Sequence, residues 1–328
     1  MNETSGSVLD ILKSMLSSEN LSKILSVASI VVLSLVFVAI NPRFMVSRNI
    51  TNILNDMSPL WVMACGVAFV LMLSSIDLSL GSIASCSAVM LTVLFNSIGP
   101  GAYIVVIIYG MLAGLINGML HTYLKIPSFI ATLCTQSIWQ SVALLISGAK
   151  PLPMLPPVWP YIEWVKITFG VVPILFIISF LLMLLYTVIQ KKTKVGRTML
   201  ALGENESAAR LIGLNINQAK ITAFFLSGIA ASVGGIIFAV KLKSGIPTVG
   251  AQYNLMAIAS AALGGVALSG GKGDILMTII GAGLIIIIQN GMNVIAVDGY
   301  WQQIVFGALV LIAIYMNADH NRRDLVVK

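Results

Sequence analysis

The chain has 328 residues, 58% of them hydrophobic and only 9% charged, with a mean hydropathy of +0.98. Soluble domains carry roughly 25% charged residues, so a water-soluble fold of this size is excluded and most of the surface must be solvated by lipid or by other apolar segments. The net charge of +7 is compatible on count alone with an anionic partner, but its placement follows membrane topology, and no nucleic acid is expected.

Residues 1–23 form a polar lead in which Val8, Leu9, Leu12, Met15 and Leu16 recur at near-helical spacing. This pattern suits a short amphipathic helix lying on the cytoplasmic membrane surface, or a loosely ordered tail. The first apolar run starts only at residue 24 and lacks a small-x-small exit, so no cleavable signal peptide is read there. A membrane helix needs about 20 mainly apolar residues, and ten segments qualify: 24–40, 58–76, 79–98, 101–120, 128–147, 170–189, 220–240, 253–269, 275–292 and 300–317. The eighth and ninth are short and glycine-interrupted. The expected architecture is therefore an all-α polytopic bundle of about ten helices over 24–317, with a short tail at 318–328. If the N-terminus is cytoplasmic, inside segments hold 13 of the 19 Lys and Arg residues, which favours both termini inside. Lys241 and Lys243 then fall outside, where they are expected to snorkel from a helix end.

Several residue groups invite functional readings. Cys65, Cys86 and Cys134 lie in apolar runs without metal-ligand spacing and read as small packing residues. Gly110, Gly114 and Gly118 repeat every four residues, the spacing that lets membrane helices approach closely. The segment 148–168, rich in Pro, Trp and Tyr, reads as an external loop at the membrane–water boundary. Asp77 stands among Ser74, Ser75 and Ser79 at a break between the second and third helices. It reads either as an N-cap or as an ion-coupling carboxylate, and capping explains it with less. The amides Asn117, Gln136, Gln140, Gln289, Asn290 and Asn293 lie within or at the ends of apolar helices. As a set they suggest a translocation path for an uncharged, hydroxyl-rich solute; singly, each suits an interhelical hydrogen bond. The glycine-rich run 264–274 is not a phosphate loop, because Lys272 is followed by Gly273 rather than Ser or Thr. It reads as a sharp cytoplasmic turn, and no nucleotide or other cofactor is expected in this chain.

Residues 190–219 are the longest charged internal stretch. Asn205 is placed to cap a helix of about two turns in which Glu206 suits the helix dipole, Ala208 and Ala209 are small, Leu211 and Ile212 are apolar, and Gly213 ends the turn. So short a helix must dock on something. The run Gly196, Ala201, Gly203, Asn205, Ala208, Ala209, Gly213 resembles the cytoplasmic segment of monosaccharide ABC permeases of the ribose type. Three further blocks resemble that family in the same order: Ile76 to Ser82 with Asp77, Ser79 and Gly81; Ile126 to Leu133; and Ala257 to Gly273 with Gly264, Gly265, Gly270 and Gly271. Gln289-Asn290-Gly291 and Trp301-Gln302-Gln303-Ile304 continue the likeness. Ser74-Ser75 replaces the family's usual glycines, and Asn254 stands where it often has Glu.

This resemblance implies an importer subunit in the bacterial inner membrane, not itself an enzyme, whose segment 190–219 rests in a groove of a separate ATP-hydrolysing subunit. It further implies a second permease chain and an external sugar-binding protein, with ATP bound only by the ATPase. Competing readings are an ion-coupled secondary transporter built on Asp77, a nucleoside permease of the same superfamily, and a membrane enzyme using His121 and His320.

Overall fold

A computed structural model of the chain describes residues 18–317, with side chains over 27–315. The amphipathic lead (Val8 to Leu16), His320 and the tail lie outside the described residues.

The helices are α1 (Ser18–Ile40), α2 (Ser47–Met72), α3 (Leu80–Ile98), α4 (Ala102–Thr122), α5 (Ser128–Ser147), α6 (Ile174–Lys192), α7 (Lys194–Glu204), α8 (Glu206–Leu211), α9 (Ile216–Leu242), α10 (Tyr253–Leu263), α11 (Thr278–Val294) and α12 (Gly299–Asn317). Among the described residues six helical stretches are long and apolar enough to cross a membrane, the continuous run Leu80–Thr122 counting as one; α1, α10 and α12 add shorter apolar stretches. With its 11 residues α10 reaches only about 16 Å, roughly half a hydrocarbon core.

The sequence-based boundaries shift where polar residues find partners. Helix α2 begins at Ser47 rather than at 58 because its polar first turns are satisfied: Asn49 Nδ2 donates to Phe44 O, Thr51 Oγ1 to Val171 O, and Asp56 pairs with Lys241. The same helix stops at Met72, and residues 73–79 form a non-helical break. Residues 170–173 belong not to a helix but to a hairpin of β2 (Thr168–Phe169) and β3 (Val172–Pro173), after which Pro173 opens α6. The expected eighth helix loses 264–269 to the glycine loop. The loop after α5 is closed by β1 (Leu152–Pro153), antiparallel to β4 (Ser244–Gly245) after α9. Lys241 and Lys243 both find partners within the chain. The first pairs with Asp56, and the second places Nζ 4.8 Å from the ring centroid of Trp159.

Helices α2 and α9 form the buried centre, whereas α5 and α6 leave most of their apolar surface outward. The α4–α9 contact runs along the glycine repeat. A Cβ on Gly110, Gly114 or Gly118 would fall 2.4, 2.2 or 2.9 Å from atoms of Ser232, Phe224 or Ile221, so only glycine admits this approach. Loops alternate between two ends of the bundle. One end gathers 73–79, 123–127, 193–215 and 264–277; the other gathers 41–46, the loop after α5, β4 and 295–298.

Candidate functional site

The cytoplasmic-type segment contains two helices, not the single short one expected. In α7, Thr193 Oγ1 accepts from Gly196 N at 3.2 Å, and one face buries Met199, Leu202 and Gly203. Asn205 breaks it and caps α8, its Oδ1 accepting from Ala208 N at 3.0 Å. Glu206 joins Lys220 of α9 at 3.2 Å and Arg210 at 3.4 Å, which pins α8 to the bundle. Ala208 is exposed, but Ala209 is buried against its own chain and offers no surface to a partner, contrary to expectation. Leu211 and Ile212 are 88% and 74% exposed, leaving a bare apolar tip before Gly213.

Beneath α7 three chain turns meet. A Cβ on Gly203 would lie 1.8 Å from Met72 O and 2.3 Å from Gly271 N. Gly271 N itself donates to Met72 O at 2.9 Å, and Ser74 Oγ donates to Ser269 O at 2.5 Å. Gly265, Gly270 and Gly271 have positive φ, which lets the loop fold under α7, while Gly264 abuts Met277. Gln190, at the end of α6, clamps the same loop: its Nε2 donates to Gly273 O (2.7 Å) and its Oε1 accepts from Ile275 N (3.0 Å). Lys191 adds an ion pair to Asp274 at 2.7 Å. Gln190 was not singled out from sequence, and Ser74 was noted only beside Asp77; a lone polar residue at a helix end carries no signal of its partner.

The break at 73–79 is held by a chain of hydrogen bonds. Asp77, fully buried, accepts on Oδ1 from Ser79 N (2.9 Å) and Ser79 Oγ (2.6 Å), and on Oδ2 from Ser227 Oγ (2.7 Å). Asn117 donates to Ser79 Oγ at 2.7 Å and accepts from Thr135 Oγ1 at 2.7 Å. Ser128 and Thr132 of α5 accept from Ile76 N and Leu78 N, and Asn254 donates to Leu78 O. Asp77 is therefore not the helix N-cap: that place belongs to Ser79, and the carboxylate bonds two residues on and across to α9. Gly81 meets Gly250, where a Cβ would lie 2.3 Å from the carbonyl oxygen. His121 is also tied into this end, with Nδ1 donating to Ile126 O (2.9 Å) and Nε2 facing Ser75 Oγ (3.5 Å).

The amides proposed as one path do not converge. Asn117 belongs to the Asp77 chain, and Gln140 donates to Pro247 O at 2.8 Å. Asn290 exchanges hydrogen bonds with Asn49 (2.8 and 3.1 Å), and exposed Asn293 accepts from Gln302 at 2.8 Å. Gln136 is half-buried on α5, apart from these groups. Gln289 alone faces a cavity of ≈ 230 Å³ between α10, α11 and α12, lined also by Gln252, Gln302 and Gln303.

The segments that meet at the Asp77 end are the blocks singled out in the sequence: 76–82, 126–133, the glycine loop and α7–α8. A family model described as the branched-chain amino acid transport system / permease component matches residues 49–314, which include all of them. The chain belongs to this permease family. Similar relatives are the ribose import permease of Haemophilus influenzae, 30% identical over 88% of this chain and 91% of the relative, and that of Bacillus subtilis, 32% identical over 87% and 89%. The D-allose transport system permease protein of Escherichia coli is 29% identical over 86% of this chain and 87% of its own length. No solved structure matches. This permease is a multi-pass membrane transporter subunit, and hydrogen bonds from the ends of α2, α5 and α6 and from Ser227 within α9 bring those sequence blocks into mutual contact.

Proposed function

We propose that this chain is the membrane subunit of an ATP-driven importer of a monosaccharide, a pentose or hexose, in a bacterial inner membrane. Ten segments enter the bilayer with both termini cytoplasmic, α10 only part-way. A separate ATPase docks on α8, a sugar-binding protein docks on the opposite end, and a second permease chain completes the path. The ribose and allose relatives support the substrate class. The observation that carries the mechanism is the bare tip Leu211–Ile212 on a capped helix fixed to the bundle by Glu206 and Lys220. Two exposed aliphatic side chains on a rigid short helix suit insertion into a groove of another protein, and no element among the described residues covers either. ATP-driven movement of that groove would move α7, and with it the Gly203–Met72–Gly271 contact.

Co-purification from native membranes tests this reading. Ala208→Trp and Leu211→Asp are expected to abolish recovery of the ATPase while the permease still inserts. Buried Ala209 is a poor probe, since its substitution disturbs the permease itself. Retention of the ATPase by both variants would overturn the docking assignment. Ion-driven uptake by the purified permease alone would favour a secondary transporter.

A further inference from the structure

The cavity between α10, α11 and α12 is unlike the other polar clusters of the molecule, because most of its amides are left without protein partners. Gln252, Gln289 and Gln303 line it, and their side-chain amides make no hydrogen bond to any described residue. Gln302 is held in place by donating to Asn293 Oδ1 (2.8 Å) and Val297 O (2.9 Å). The remaining wall is apolar: Met256, Ile285, Met292 and Phe306 among its members. Among the described residues no ionisable side chain lines it. Gln252 just before α10, Met292 near the end of α11 and Gly299 at the start of α12 place it towards the end that carries 41–46 and 295–298.

Each primary amide offers two donors and a carbonyl acceptor without charge, so three unpaired ones match a neutral ligand with many hydroxyls and disfavour an ion. An apolar and aromatic floor matches the C–H face of a sugar ring. At ≈ 230 Å³ the space lies below the ~300–1,000 Å³ of sites for drug-sized ligands, which suits a small solute. We propose that this cavity is a transient binding site for a neutral monosaccharide entering the permease, with Gln289 and Gln303 as its specificity-determining amides. The proposal rests on the sugar-importer reading and adds to it the place where the permease first touches the sugar.

The test uses the full-length chain in lipid nanodiscs with exposed Cys134 removed as Cys134→Ser. The thiol introduced by Gln303→Cys is reacted with a hydrophilic maleimide in the presence of D-ribose, D-allose or L-leucine. Either sugar is expected to slow the reaction, whereas at Tyr300→Cys, exposed and outside the cavity, the rate stays unchanged. Adding Gln289→Leu should raise the sugar concentration needed for protection by about two- to tenfold, the range for one lost neutral hydrogen bond. Protection by leucine but not by sugar, or no protection by either, overturns the site, and a cavity filled by lipid or by a second chain gives that last result. Uptake in cells that also carry the ATPase and binding protein separates the two claims. Sugar uptake unaltered by Gln289→Leu and Gln303→Leu overturns the cavity alone, whereas no sugar uptake by the wild-type assembly overturns the importer reading beneath it.

Discussion

At the scale of single residues, Asp77 shows how a carboxylate is accommodated inside a largely apolar bundle. Burying an unpaired carboxylate is prohibitively costly, and here both oxygens accept hydrogen bonds, from Ser79 and from Ser227. Asp77→Asn keeps the shape but turns one acceptor into a donor that faces hydroxyl donors. We expect a loss of roughly 1–3 kcal/mol, read as a lower midpoint of thermal unfolding in detergent. Ser227→Ala added to Asp77→Asn should cost less than the sum of the two singles, with a coupling of about 0.6–1.7 kcal/mol; strict additivity would show that the bond carries no stability. A coupling-ion role would instead give intact stability with abolished transport. Asp77 and Ser79 were legible in the sequence as a polar break between helices. Ser227, 150 residues away on an apolar helix, was not, because nothing local distinguishes it from a serine that bonds its own helix backbone.

At the scale of elements, α7 was the helix the sequence concealed. Its inward face, Val195, Met199 and Leu202, has helical spacing, but Gly203 and Asn205 read as interruptions and Gly196 is a poor helix former. Packing overrides propensity: both glycines are where α7 touches other backbone, and a Cβ on Gly196 would lie 2.2 Å from Gln190 O. Gly203→Ala therefore separates two properties. Its methyl group cannot fit between Met72 O and Gly271 N without moving α7 off its seat, yet it leaves Leu211 and Ile212 untouched. The expected outcome is normal recovery of the ATPase with sugar uptake reduced at least tenfold and ATP hydrolysis no longer stimulated by substrate. Leu211→Asp should do the reverse, losing the ATPase from an otherwise stable permease. Identical phenotypes in the two variants would mean that seat and tip are not distinct parts.

At the scale of the whole molecule, the alternation of loops between two ends was legible because it follows from counting apolar runs, and polar partnering explains most of the shifted boundaries. Its sidedness is open to direct measurement. In a Cys134→Ser chain, the thiol of Glu163→Cys should react with an impermeant maleimide in intact cells, and that of Ser207→Cys only after permeabilisation. Both positions are exposed. Outside labelling of position 207 would invert the orientation and remove α8 from the ATPase.

Between those two ends runs α2, buried from Met57 to Met72, with 26 residues that span about 39 Å. Its inner end is Met72, bonded to Gly271 and pressed by Gly203; its outer end carries Asn49, paired with Asn290 beside the cavity-lining Gln289. A rigid helix fixed at both ends is a physical means for a shift at the Gly203 seat to reach the opposite end of the bundle, provided that both attachments matter energetically. Asn49→Leu strips Phe44 O of its donor and leaves the Asn290 amide unpaired, whereas adding Asn290→Leu removes that second orphan. Stability should therefore recover in the double variant relative to Asn49→Leu, by about 1 kcal/mol in unfolding experiments. Transport should not recover, because the tie between α2 and α11 is gone whether or not an orphan remains. Uptake restored together with stability would mean that the pair serves folding alone and that α2 does not carry the movement outward.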